Sequence, residues 1–130
     1  MHRPGKQSAA ALRAAERRER ENAAPRLATE APDLVSLRLE VEEKSGTSSA
    51  GQPKYTRFIV VTSAPALFLL PCGDANCVDG GHDVTSFMMT ALRGRKTHFV
   101  GEDECRGSVG TSFCARVLHF TATAEYREHR

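Results

Sequence analysis

Four cysteines fall in two pairs, Cys72 with Cys77 and Cys105 with Cys114, on either side of one helix-forming stretch. The first pair sits in Pro-Cys-Gly-Asp-Ala-Asn-Cys and the second in Cys-Arg-Gly-Ser-Val-Gly-Thr-Ser-Phe-Cys, both rich in turn formers. Thiolates are soft, charged donors, and two loops that each supply two of them can close a tetrahedral site around one metal ion. Zinc is the commonest occupant, so the expected cofactor is one zinc ion held by Cys72, Cys77, Cys105 and Cys114. The spacings, four and eight intervening residues, are wider than those of paired C-x2-C knuckles. Other chemistries therefore stay open: an iron–sulfur cluster, reduced thiols packed as small apolar side chains, and disulfide or redox chemistry.

His82 stands in Gly80-Gly81-His82-Asp83, just past the first pair and at the expected start of the helix. It is a candidate substitute ligand in a Cys3His site, or a hydrogen-bond donor to a coordinated sulfur. A plain loop histidine beside a capping Asp83 is the alternative. A catalytic zinc would need an open coordination position and a group to move a proton. Asp74, Asp79, Asp83, Glu102, Asp103 and Glu104 crowd the two loops, so a zinc-dependent hydrolase using His82 and a nearby carboxylate is one reading. The nucleobase-deaminase pattern, H-x-E ahead of P-C-x-x-C, is absent: Pro71-Cys72 has its next cysteine too far on, and the histidine follows the cysteines. The C-x-x-C of a thiol oxidoreductase is absent too, which leaves a redox sensor with no fixed spacing.

Two basic groups are candidate partner contacts. Arg13, Arg17, Arg18 and Arg20 lie in an Ala/Arg/Glu-rich stretch, and Arg93, Arg95 and Lys96 follow the central helix. Residues 1–26 hold seven Arg or Lys against three Glu, whereas the remainder holds eleven basic against thirteen acidic side chains. The basic character thus belongs to the N-terminal arm, and the rest of the chain lacks the strong positive field of a non-specific nucleic-acid binder. No apolar run is long enough to span a bilayer. The N-terminal stretch lacks the hydrophobic centre of a secretory signal, so the default expectation is a cytoplasmic chain, where paired cysteines more often bind metal than form disulfides.

The elements that must position these residues follow from periodicity. The 130-residue length suits one domain, divided into an arm and linker over 1–33 and a metal-binding domain over 34–130. Residues 1–7 read as a disordered start, and Ser8 as the cap of a helix to about Asn22. Val35, Leu37, Leu39 and Val41 alternate with polar residues, the period of a half-buried strand. Tyr55 to Thr62 forms a second strand, joined to the first through a flexible 44–53 segment. Ala66 to Leu70 reads as a short central strand. Val84, Phe87, Met88, Ala91 and Leu92 share one helix face, with Gly94 as terminator. Thr97–Gly101 and Arg116–Tyr126 complete five strands. The expected fold is α+β: a mainly antiparallel sheet of about five strands, one packed helix, metal-bound loops at one end and a flexible helical N-terminal arm. The expected function is a structural-zinc binding or adaptor module for a protein or nucleic-acid partner.

Overall fold

A computed structural model of the chain describes residues 9–45, 54–74 and 77–128. The expected disordered start over 1–7, the Ser8 cap and nearly all of the 44–53 connection lie outside those residues. In chain order the elements are α1 (Ala9–Ala23), α2 (Leu27–Glu30), β1 (Leu34–Ser45), β2 (Lys54–Ile59), β3 (Leu69–Leu70), β4 (His82–Asp83), α3 (Thr85–Arg93), β5 (His98–Glu104), β6 (Ser108–Val109), β7 (Ser112–Phe113) and β8 (Arg116–Tyr126).

The fold is α+β. Its main sheet has four antiparallel strands in the order β2-β1-β8-β5, with two small two-stranded sheets, β3-β4 and β6-β7, beside it. The two longest strands, β1 and β8, lie at the centre, and their register pairs Leu39 with Ala122 and Val41 with Phe120. Alternation puts Leu37, Leu39 and Val41 of β1 and Leu118, Phe120, Ala122 and Ala124 of β8 on one buried face. Helix α3 covers that face with Met88, Met89, Ala91 and Leu92, all buried. The Phe87 ring meets Phe120 edge-on at 5.5 Å between centroids, the geometry the ring quadrupoles favour. The opposite face, with Arg38, Glu40, Thr121 and Val100, carries no covering helix among the described residues.

Three details differ from the sequence expectation. Val35 is half exposed, because a register shift between Leu34 and Ser36 turns the start of β1 and buries Leu34 instead. The apolar 66–70 segment does not enter the main sheet: only Leu69 and Leu70 pair, and their partners are Asp83 and His82. Prolines at 65 and 71 bracket this segment and limit its ladder. The chain also packs earlier than residue 34. Leu27 is fully buried and Ala31 nearly so, with Leu27 N–H donating to the Ala64 carbonyl at 2.9 Å. Helix α1 precedes this tied segment. No described helix is long and apolar enough to cross a membrane.

Candidate metal centre

The register of the sheet brings the cysteines together. Glu104 at the end of β5 pairs with Val117 near the start of β8. Cys105 and Cys114 therefore leave and re-enter the sheet at the same end, with the β6–β7 hairpin between them. The ladder continues one step past β5, since Cys105 N–H donates to the Arg116 carbonyl at 2.9 Å. The first loop leaves β3 and returns through β4, whose pairing of Leu70 with His82 places Cys72 near Gly80 and Gly81. A bridge between Val78 and Ser108, with reciprocal hydrogen bonds of 2.8 and 3.0 Å, staples the two loops together.

All four cysteines are buried and their sulfurs lie within 4.8 Å of one another, an arrangement that can hold a metal ion. The closest pairs run between loops: Cys72 Sγ to Cys114 Sγ is 3.7 Å and Cys77 Sγ to Cys105 Sγ is 3.6 Å. A disulfide needs about 2.05 Å, so these are free thiols. A zinc–thiolate bond of about 2.3 Å sets tetrahedral edges of about 3.8 Å, close to both distances. Two backbone amides point at the sulfurs: Gly81 N–H donates to Cys105 Sγ at 3.3 Å and Asp74 N–H to Cys72 Sγ at 3.5 Å. Such donors stabilise negative charge on sulfur.

Two glycines allow this approach. A methyl group at Gly80 would overlap the sulfur of Cys77 and stand 2.6 Å from that of Cys105. One at Gly107 would overlap Cys77 Sγ and stand 2.6 Å from both the Gly80 Cα and the Val78 carbonyl oxygen. Burial pushes the Cys72 thiol above its ordinary range, against the opposing pull of the Asp74 amide. Burial and then hydrogen bonds with Cys105 and Cys114 push Cys77 up to about 12. Burial also acts to raise Cys105, but amides of Gly81 and Gly107, with hydrogen bonds from Cys77 and Cys114, outweigh it and hold that thiol below its ordinary range.

His82 occupies a different place from the one its spacing suggests. Its side chain is fully buried and both ring nitrogens meet carboxylates: Nε2 lies 2.9 Å from Glu43 Oε2 and Nδ1 lies 3.0 Å from Asp103 Oδ2. No ring nitrogen is left for a metal, a sulfur or a substrate. Glu43, itself 2 % exposed, also accepts from Gly73 N–H at 2.7 Å and from Arg116 Nη1 at 3.2 Å. Gly73 adjoins Cys72, Asp103 precedes Cys105 by two residues and Arg116 follows Cys114 by two. The buried network thus grips both cysteine loops and fixes them to the sheet. Sequence reasoning passed over Glu43, Asp103 as a His82 partner, Arg116, Gly80 and Gly107. Asp83 is not the N-cap expected of it: Val84 holds that position without a side-chain cap bond, and Asp83, one residue earlier in β4, accepts from Thr85 N–H through Oδ1 at 3.1 Å.

The predicted basic contacts are largely engaged within the chain. Arg17 pairs with Glu21 at 3.6 Å, Arg20 with Asp83 at 3.5 Å and Arg93 with Glu30 at 3.4 Å. Arg95 pairs with Asp33 at 2.9 Å and lies over the Tyr126 ring at 5.0 Å. Arg18 and Lys96 are exposed, and Arg13 is half-buried. Comparison with protein-family models, with curated proteins and with solved structures finds no match to this chain.

Proposed function

We propose that this protein is a small structural-zinc module whose ion, held by Cys72, Cys77, Cys105 and Cys114, fixes two loops for binding a partner macromolecule. The observation that carries the reading is the closeness of four buried sulfurs, with inter-loop distances of 3.6 and 3.7 Å. A multi-iron cluster sets more than one metal and bridging sulfides between its cysteines, so it needs a wider spread of thiolates. Four sulfur donors fill a tetrahedral ion and leave no position for water, which favours a structural over a hydrolytic role. The full engagement of His82 by two carboxylates points the same way.

A protein partner fits the surface better than a nucleic acid. The candidate arginines are mostly spent on internal acids, while Phe113 at the end of β7, beside Cys114, is 89 % exposed and Phe58 on the edge strand β2 is 74 % exposed. Elemental analysis of freshly purified protein tests the metal, with one zinc per chain expected. Cobalt substitution then counts donors: four sulfurs support the reading, and an open position with bound water overturns it. Titration of labelled single-stranded and duplex oligonucleotides at low and high salt tests the partner class. Tight, steeply salt-dependent binding would reassign the partner to nucleic acid.

One observation favours a second reading, a thiol-based sensor: the Gly81 amide donates to Cys105 Sγ at 3.3 Å, which favours a thiolate there. Alkylation of the native protein separates the two. Fast labelling of Cys105 alone supports a sensor, whereas slow labelling of all four cysteines that accelerates with chelator supports the structural ion.

A further inference from the structure

Helix α1 presents Arg13, Arg17 and Arg20 on successive turns of one face. That face forms one wall of a cleft of about 330 Å³ whose other wall includes Cys72, Gly80 and Gly81. Arg17 and Arg20 have carboxylate partners, Glu21 and Asp83. Arg13 differs. Its Nη1 is buried and has no hydrogen-bond partner among the described residues. A buried guanidinium nitrogen without a partner is costly, so its position favours an acceptor or a negative charge beside it. The acids of the cleft are Glu16, Asp79 and Asp83; Asp83 is engaged by Arg20, and none of the three bonds Arg13 Nη1.

A divalent ion bound by four thiolates would place negative charge on the facing wall. Two positive charges against four negative ones leave the centre a dianion. It forms at the wall that carries Cys72, in a partly buried place where charges are weakly screened.

We propose that α1 is the counter-ion wall of the metal centre and that Arg13 is its principal positioning residue, holding the helix against the loops through the charge that the bound ion creates. This rests on the reading that the four cysteines bind a divalent metal. Helix docking and metal affinity are then two sides of one coupling, so removing either weakens the other by the same factor. The N-terminal helix, with little apolar surface to bury, is held by the ion and released without it.

The test uses the full chain and zinc itself. Zinc affinity is measured by competition with a chromophoric chelator for wild type, Arg13→Gln and Arg13→Lys, at low and high salt. The expected result is an about five- to tenfold weaker affinity for Arg13→Gln at low salt, a smaller difference at high salt, and recovery of most of the loss in Arg13→Lys. Trypsin should cut after Arg17 and Arg18 faster in zinc-loaded Arg13→Gln than in zinc-loaded wild type. Equal affinities for wild type and Arg13→Gln overturn the inference, as does a Lys variant no better than the Gln variant. Should Arg13→Gln fail to fold, the Arg17→Gln/Arg20→Gln double variant carries a smaller loss with the same salt dependence, and its absence overturns the inference. Wild type that binds no zinc defeats both this inference and the metal reading. Wild type that binds one zinc with an unaffected Arg13→Gln defeats this inference alone.

Discussion

Glu43 and Asp103 stand opposite the same residue, Leu118, one on each of the two strands that flank β8. Adjacent strands lie about 4.8 Å apart, so the two backbones are separated by about 10 Å. An imidazole with a hydrogen bond at each nitrogen is long enough to bridge the carboxylates across that gap, and His82 does so at 2.9 and 3.0 Å. The bridge crosses the sheet at its cysteine end and ties β1, β4 and β5 together.

Breaking this bridge from one side leaves buried polar groups without partners. Glu43→Leu would strand His82 Nε2, the Gly73 amide and one contact of Arg116. A buried donor left without its acceptor costs about 1–3 kcal/mol, and urea unfolding should show a loss of at least that size. Replacing both groups, as in Glu43→Leu/His82→Leu, should restore part of the stability, because no unpaired partner then remains at Nε2. A double variant as unstable as the sum of the singles would argue that the two do not act as a pair.

Close approach of the loops predicts a contrast among glycines. Gly107→Ala drives a methyl into the backbone at Gly80 and Val78 and into the Cys77 sulfur. Backbone cannot swing away as a side-chain tip can, so the loops must part, at a cost of about 1–3 kcal/mol and with loss of metal affinity. Gly110 has φ +61° with nothing within 4 Å of its missing Cβ. Gly110→Ala should cost about 1–2 kcal/mol in left-handed backbone strain and leave zinc affinity unchanged. Thermal melts and chelator competition on both variants check this. Equal zinc affinity for the two would contradict a site that needs Gly107.

Much of this arrangement is readable in the chain, and the unreadable part has identifiable causes. The alternation of Leu37, Leu39 and Val41 against polar neighbours marks β1, and the run from Leu118 to Tyr126 marks the core face of β8. Four cysteines in two turn-rich loops mark the cluster. The same alternation, carried one step further, puts Glu43 on the buried face, an acid where the pattern asks for an apolar residue. That mismatch was the available signal for the network, and it is lost if the strand is ended at Glu42. His82 was misleading because proximity to Cys77 in sequence says nothing of where β4 aims the ring. The segment from Ala66 to Leu70 looks like a strand by composition, yet strand pairing depends on partners that only the tertiary fold assigns. Gly80 and Gly107 gave no signal, since close approach between loops far apart in sequence leaves no local pattern.

Loss of metal should act first on the loops and later on the sheet. The cysteines form a buried cluster of their own, with Val109 the one partly buried apolar neighbour packed against it among the described residues, while the apolar core is a separate, larger group around β1, β8 and α3. Structural zinc contributes about 10–16 kcal/mol of apparent binding free energy in small domains, comparable to the whole stability of a domain, about 5–15 kcal/mol. The four-cysteine cluster has no comparable apolar burial to replace it. Chelation should therefore strip hydrogen-exchange protection from the amides of Val78, Ser108 and Cys114, whose bonds hold the loops. Amides of Leu39 and Phe120 should keep more of theirs. Unchanged protection at Val78 and Ser108 after chelation would mean that the loops stand without an ion.

Acidity should weaken metal binding in a defined direction. Burial raises the Cys72 thiol, and burial with neighbouring thiols raises Cys77 to about 12, so both carry protons at neutral pH when no metal is bound. Coordination requires thiolates, which means the bound state carries at least these two protons fewer. By linkage the form with fewer protons is favoured as pH rises, so zinc affinity should climb by about two decades per pH unit around neutrality. Calorimetric titration of zinc in two buffers of different ionisation enthalpy measures the protons released. A release near zero would show thiols already ionised before the ion arrives, and the burial of Cys72 and Cys77 would then have no influence on the pH dependence of binding.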